Sequence, residues 1–392
     1  MPLFNMRGML QHAYDNRYAI GAFDLVDNAF LEAIMAGVEI CQAPVILSLA
    51  ESHFSAYDFA TLMPAVVSAA RRSPVPVAIH LDHGASLESA VAGIRLGCNG
   101  IMVDASEYPY EENVSRSRAV VEMAHACGIC VEGELGYVAG QEGEDAEHHP
   151  GEIIYTPVEQ AEDYVRNTGV DCLAVSIGTV HGHFRGEPQL DMERLEAINK
   201  AVNIPIVIHG GTGLSDDQFR ALIARGVAKI NYYTALSDAA AASIREQSNR
   251  SGGYTHLLAG VRDAIRQEVI RCCQLWGAAG QADAVRAHCP PWQEVEHVIL
   301  FNTEGLSDEQ VADMMQEGQR VLSTLPGVRR VVTGNAVQAD ASYRYCWVIR
   351  FAHPAVIDSY RVHPEHQAFA DKRFRPYAGG RVSIDYQETK ST

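Results

Sequence analysis

From residue 19 to residue 231, short runs of apolar, mostly β-branched residues alternate with longer segments whose apolar positions recur every three or four residues. The short runs are AIGAF (19–23), PVILSL (44–49), PVAIHL (76–81), GIMV (100–103), ICVEGEL (129–135), CLAVSIG (172–178), IPIVIH (204–209) and VAKIN (227–231). Segments such as AFLEAIMAGVEICQ, SLESAVAGIRLG and MERLEAINKAV separate them. A strand that is apolar nearly throughout is buried on both faces, as in a parallel sheet flanked by helices. Eight such units in succession are the number that closes a (β/α)8 TIM barrel, of class α/β. An open doubly wound sheet is the alternative. It favours a G-x-G-x-x-G turn after the first strand, and GAFDLVDN is not one.

The pattern changes around RAHCPPWQEVEH, where Pro290 and Pro291 end the helical segment GVRDAIRQEVIRCCQLW and its continuation. Beyond it the order of elements reads β-α-β-β-α-β. The strands are HVILF, VRRVVTGNAV, YRYCWVIRF and RVSIDYQ; the helices are SDEQVADMMQEGQRVLSTL and PAVIDSYRVHPEHQAFADKRF. This is a smaller ferredoxin-like α+β domain. The expected organisation is a barrel over residues 1–285, a linker over 286–294 and the second domain over 295–392.

In closed barrels of this kind the chemistry sits at the carboxyl ends of the strands. The polar residues expected there are Asp24, Glu51, Asp82 and His83, Asp104, Glu134, His181, His209 and Asn231. Each alone has an incidental explanation as a strand-end polar residue. Three histidines from three strands, with carboxylates beside them, form a set. Three imidazoles that leave one coordination position open are the pattern of a catalytic zinc site, and such an ion polarises a carbonyl. Neighbours on a strand point to opposite faces, so Asp82 is expected off the metal, where a carboxylate suits proton transfer. Asp104 and Glu134 are candidates either to support the imidazoles or to bind metal themselves. HGGTG (209–213) and NYYT (231–234) follow the seventh and eighth strands, where barrels build phosphate sites from exposed backbone N–H groups.

Composition narrows the partners. The chain has 392 residues, with 49 acidic against 31 basic and a net charge of −18. That balance argues against nucleic acid, which needs clustered Lys and Arg, but allows a small anionic substrate. No apolar run approaches the ~20 residues of a membrane span. The amino terminus MPLFNMRGMLQHAYDN lacks a basic-then-apolar signal pattern, and the nine cysteines are scattered. Together these lead to the expectation of reduced thiols and a cytoplasmic protein. Cys127 and Cys130 have redox-motif spacing, but the first closes a helix-like segment and the second opens a strand, the reverse of the redox context. These residues together describe a metal-dependent enzyme acting on a phosphorylated carbonyl compound, with aldol cleavage and enolisation both open.

YAIGAF, HLDHG, GIMVDAS, VEGELG, VSIGTVHG, IHGGTG and KINYYT occur in order along residues 1–285, and this region resembles the class II, zinc-dependent fructose- and tagatose-bisphosphate aldolases. The resemblance implies cleavage of a ketose 1-phosphate or ketose bisphosphate to dihydroxyacetone phosphate and an aldehyde. It implies zinc on His83, His181 and His209, with Asp104 and Glu134 able to hold metal in alternative positions, and a second divalent or a monovalent cation nearby. It implies proton exchange by Asp82 at the cleaved bond, and by Glu142, in the loop GYVAGQEGEDAEHHPGE, at the carbon beside the carbonyl. His148 and His149 of that loop are read as loop residues. Gly182, Gly210, Gly211, Thr212, Asn231 and Thr234 match the positions that hold the C1 phosphate. Family members form homo-oligomers, so a dimer or tetramer is expected.

Three positions depart from the family pattern. Asp24 stands where the family has Asn, Ala50 where a serine often touches substrate, and Ser237 where many bisphosphate aldolases place Arg or Lys for the distal phosphate. The distal group is therefore expected not to be a phosphate, with Arg262 the candidate to restore such binding across a subunit contact. A sugar-phosphate isomerase or epimerase and a non-catalytic assembly protein are the alternatives. HVILF, LPGV and HPEHQAF resemble the stress-responsive dimeric α/β-barrel domain, in which two copies pair their sheets. An assembly role for this domain stands beside a contribution to a ligand pocket. His363 and His366 are read as capping or packing residues, and Tyr343, Tyr345 and Trp347 as a packing or dimer face.

Overall fold

The computed structural model describes residues 3–138, 153–184, 186–248 and 252–387. The chain divides into two compact units, the larger within Met1–Pro291 and the smaller carrying Trp292–Thr392.

In the larger unit eight parallel strands close into a barrel in sequence order. They are β1 (Ile20–Asp24), β2 (Val45–Ala50), β3 (Val77–Gly84), β4 (Gly100–Val103), β5 (Cys130–Leu135), β6 (Cys172–Val175), β7 (Ile206–Ile208) and β8 (Val227–Tyr232). A helix follows each strand: Asn28–Cys41, Phe59–Arg72, Leu87–Leu96, Tyr110–Ala126, Val158–Thr168, Met192–Val202, Asp216–Ala224 and Thr234–Ser248. The helix starts carry their own caps. Asp27, Asp58, Asp191 and Ser215 each accept from a backbone N–H in the first turn, each cap stabilising its helix by about 1 kcal/mol. The apolar stripe Phe30, Leu31, Ile34 and Val38 of the first of these helices is buried, as its three-to-four spacing requires.

β3 departs from simple alternation. Leu81 pairs with Ile101 of β4 and Gly84 with Val103, so β3 holds one residue more than β4 across that step, a β-bulge. His83 lies within the bulge in the left-handed backbone region, at φ 48°. A Cβ on Gly84 would meet the Met102 carbonyl oxygen at 2.6 Å, so only glycine fits the close approach that follows. The expectation that Asp82 and His83 face opposite sides fails for this reason: the bulge turns consecutive side chains toward one mouth.

The smaller unit is a four-stranded antiparallel sheet in the order β10-β11-β9-β12, with β9 Val295–Thr303, β10 Val328–Asn335, β11 Tyr345–Phe351 and β12 Ala378–Gln387. Helix Asp308–Leu322 starts at a reciprocal Ser307/Gln310 capping box and buries Val311, Met314, Met315 and Leu322. A Cβ on its Gly318 would strike Trp347 and Phe369, so glycine lets helix and sheet approach. The single helix expected after Pro354 is two, Val356–Val362 and Pro364–Phe369. His363 between them is extended (ψ 129°), because the residue before proline is pushed out of the helical region. His363 caps the second helix and His366 packs, tilted, against Tyr360. Trp347 is buried, whereas Tyr343 precedes β11. Among the described residues no helix is long and apolar enough to cross a membrane.

Candidate active site

The strand ends bring the three histidines together. His83 comes from the β3 bulge, His181 from the loop after β6 and His209 from the residue after β7. One nitrogen from each lies within 4.8 Å of the others, and His83 Nε2 is 3.1 Å from His209 Nδ1. The His181 ring stands edge-on to both, with centroids at 5.1 and 5.6 Å.

Carboxylates hold the far nitrogens of two of these rings. Asp104 Oδ2 is 2.7 Å from His83 Nδ1, and Glu132 Oε1 is 3.0 Å from His209 Nε2. Such contacts fix which nitrogen of a ring remains to bind a metal. Burial disfavours charge on His83, but Asp82, Asp104 and Glu134 outweigh it and hold its pKa well above the ordinary imidazole value. Burial, joined by the neighbouring imidazoles, pushes His181 and His209 down to about 3. Desolvation opposes charge on Asp104 too, yet the His83 and Ser106 hydrogen bonds keep it below the carboxylate range. Glu134 is raised well above it by burial and by Asp104.

Asp82 stands beside this cluster, fully buried, with Oδ2 3.9 Å from His83 Nε2. The Asn231 amide donates to its Oδ1 at 2.8 Å, while Oδ2 has no hydrogen-bond partner among the described residues. Asn231, expected at the phosphate, thus also orients Asp82. Glu134 Oε2 is a second buried acceptor without a hydrogen bond among the described residues. A buried carboxylate oxygen without a partner calls for an explanation, and a bound ligand or ion is one.

Glycines of positive φ shape the adjoining loops. Gly182 has φ 78° and Gly210 φ 70°, and a Cβ on Gly210 would meet the Val180 carbonyl oxygen at 2.1 Å. On the same loop, a Cβ on Gly211 would be tight against Phe219. Thr212 Oγ1 accepts from the Ala235 N–H at 3.2 Å, tying the loop after β7 to the start of helix Thr234–Ser248. Thr212 thereby borders the start of that helix, where backbone N–H groups are in excess.

Other expected residues fall differently. Asp24 is fully buried at the end of β1, and Ala50 pairs in register with Asp82. Glu51 accepts from the Ala85 N–H and the Ser89 hydroxyl, so it anchors the turn after β3. Ser237 sits in the first turn of its helix. Arg262 pairs with Glu32. Glu142 lies outside the described residues. Cys127 and Cys130 are buried and free, and burial raises both thiols, which suits packing rather than redox exchange.

A deeper polar layer escaped the sequence reading. Lys229 Nζ is 2.6 Å from Glu132 Oε2. His80 Nε2 is 3.6 Å from the same oxygen, and Ser48 Oγ lies 3.3 Å from His80 Nδ1. All four side chains are buried. The available signal was period two: His80, Glu132 and Lys229 each precede Asp82, Glu134 and Asn231 by two residues, and so share their inward face.

Residues 4–281 match the family model described as "Fructose-bisphosphate aldolase class-II", and residues 295–388 match the "Stress responsive A/B Barrel Domain". A fructose-bisphosphate aldolase of Geobacillus stearothermophilus is 38% identical over 72% of this chain and 99% of its own length. That of Staphylococcus aureus strain Mu50 is 36% identical over 72% of this chain and all of its own. The crystal structure of the YdjI aldolase from Escherichia coli K12 is similar at TM-score 0.65 and 32% identity, covering 71% of this chain and 99% of that one. The chain therefore belongs to the class II fructose-bisphosphate aldolase family, a family of lyases, and carries a stress-responsive A/B barrel domain after the barrel.

Proposed function

We propose that this protein is a zinc-dependent aldolase that reversibly cleaves a ketose 1-phosphate to dihydroxyacetone phosphate and an aldehyde. The observation that carries the reading is the convergence of His83, His181 and His209 next to an Asp82 whose Oδ2 has no hydrogen bond among the described residues. The donor set fits zinc. Zn–N distances of ~2.0–2.1 Å place two ligands on a tetrahedral ion about 3.3 Å apart, and His83 Nε2 and His209 Nδ1 are 3.1 Å apart. Bound there, zinc supplies the positive charge that draws electrons from the substrate carbonyl as the carbon–carbon bond breaks.

The chain's own residues do the rest. Asp82, held at Oδ1 by Asn231, takes the proton from the hydroxyl on the far side of the breaking bond through Oδ2 and returns it in the condensation direction. Glu142 moves the second proton at the carbon that becomes part of dihydroxyacetone phosphate. Gly182, Gly210, Gly211, Thr212, Asn231 and Thr234 hold the C1 phosphate with backbone N–H groups and hydroxyls. Asp104 holds the His83 ring, and Asp104 and Glu134 can hold metal in alternative positions beside His83.

The far end of the sugar is not a phosphate in this reading. A cavity of 340 Å3 opens beside His83 and His181, and its described lining includes Glu51, Asp104, Glu107 and Glu134 but no Lys or Arg. Glu51, Asp104 and Glu107 repel a distal phosphate, and all four acidic groups suit hydroxyls, which donate to them. Buried Asp24 adds to the acidic character of the mouth. A retro-aldol panel of ketose 1-phosphates against fructose 1,6-bisphosphate, with products identified, tests the proposal. Release of dihydroxyacetone phosphate and an aldehyde is expected, with the monophosphates preferred. Isomerised product without cleavage, or a bisphosphate preferred by orders of magnitude, refutes it.

The second domain acts in assembly. On the sheet face opposite helix Asp308–Leu322, Leu300 pairs in register with Cys346 and Val382, and Val298 with Val348 and Ile384. Leu300 and Ile384 are 37% and 44% exposed. A continuous apolar sheet face of this kind supports pairing with a second copy, and Leu300→Asp should lower the oligomeric mass measured by light scattering.

A further inference from the structure

We propose that the buried Glu132–Lys229 pair is a positioning device for the zinc ligand His209. The inference rests on the zinc aldolase reading above and extends it to two residues that touch neither substrate nor metal.

Glu132 on β5 bridges two partners with its two oxygens. Oε1 faces His209 Nε2 at 3.0 Å and Oε2 faces Lys229 Nζ at 2.6 Å. A carboxylate accepts only, so the proton of the His209 ring sits on Nε2. The lone pair is then on Nδ1, the atom 3.1 Å from His83 Nε2. Rotating the carboxylate would release the ring, and Lys229 prevents that rotation from the far side. His80 closes the remaining approach at 3.6 Å from Oε2 and is itself held by Ser48.

Two considerations favour a functional role over packing. A buried ion pair is commonly neutral or unfavourable for stability compared with apolar residues of the same volume, so stability does not explain its presence. The pair is also aimed at the site. Lys229 precedes Asn231 by two residues on β8, so one strand supports His209 through Glu132 and Asp82 through Asn231. Asp82, Glu132 and His209 could themselves surround a cation, but Glu132 already has a cationic partner in the Lys229 ammonium at Oε2.

Zinc affinity, measured by competition with a chromophoric chelator, tests this without relying on turnover. Wild type is compared with Lys229→Met and with Glu132→Gln/Lys229→Met, each checked for folding by thermal melting. The double variant leaves no uncompensated buried charge and so guards against misfolding of the single one. Affinity should fall about 10–100-fold in every folded variant, as for other supports of metal ligands. A folded variant that holds zinc to within that tenfold overturns the inference. Nitrogen-15 NMR of the metal-free wild type provides a check that needs no variant: His209 should be protonated on Nε2, and protonation on Nδ1 overturns it. If wild type takes up no zinc at all, the zinc reading falls and this inference with it; tight wild-type binding with unchanged variants removes only the inference.

Discussion

The barrel and the C-terminal unit each pack large side chains against a sheet, but the chemistry they bury differs. In the C-terminal unit Phe301, Trp347, Phe351, Phe369 and Phe374 make an aromatic core, with Trp347 edge-on to Phe369 and Phe374. The barrel mouth buries Asp24, Asp82, Glu132, Glu134, His80, His181, His209 and Lys229. Among the described residues, every such buried ionisable Asp, Glu, His or Lys lies in the barrel. The C-terminal unit also holds a described cavity of 420 Å3, between helix Asp308–Leu322 and the end of β10, larger than the 340 Å3 beside His83, yet no histidine or cysteine lines it. Burying charge costs several kcal/mol per ion, so a fold retains it where something else is gained. Convergent buried charge, rather than cavity size, distinguishes the barrel mouth from that cavity.

The strongest way to break this contrast is to remove a ligand. His209→Ala should lower cleavage about a thousandfold or more, since a metal ion supplies several kcal/mol of charge stabilisation; zinc content and kcat measured on one sample check it. Asp82→Asn should reduce kcat about 10²–10⁴-fold, the ordinary worth of a positioned proton-transfer group, while zinc content stays at the wild-type level. A loss of zinc would instead make Asp82 part of the metal site. Trp347→Ala sharpens the other side. It should destabilise the C-terminal unit by about 3–5 kcal/mol, seen as an earlier unfolding transition, with kcat/KM of the folded protein unchanged. Asp24→Asn should act least, shifting the kcat/KM ratio toward bisphosphates by about fivefold, which corresponds to about 1 kcal/mol.

Much of the fold was legible because it is local. The eight apolar runs are the eight barrel strands, displaced by a residue or so at most starts; His83 lies at the end of β3 and His209 just past β7, whereas His181 lies in the loop beyond β6, which ends at Val175. What the sequence does not display is pairing. The bulge at Asp82–His83 is a property of β3 against β4, and no local pattern marks it; the rule of alternation predicted separate faces instead. Asn231 was legible as a strand-end residue, but its bond to Asp82 spans 149 positions. Lys229 and Glu132 sit inside runs that read as buried strand, where a single charge looks like an exception until a partner 97 positions away is found. The split at His363, by contrast, was written in the sequence as a residue before proline, and helical periodicity across it masked the signal.

The most direct test measures bound zinc and retro-aldol cleavage on the same purified sample, before and after chelation, with a panel of ketose 1-phosphates. The zinc aldolase assignment predicts about one tightly held zinc per chain, release of dihydroxyacetone phosphate and an aldehyde, loss of cleavage when the metal is stripped, and recovery when zinc is returned. Undiminished cleavage by the metal-free protein would contradict it.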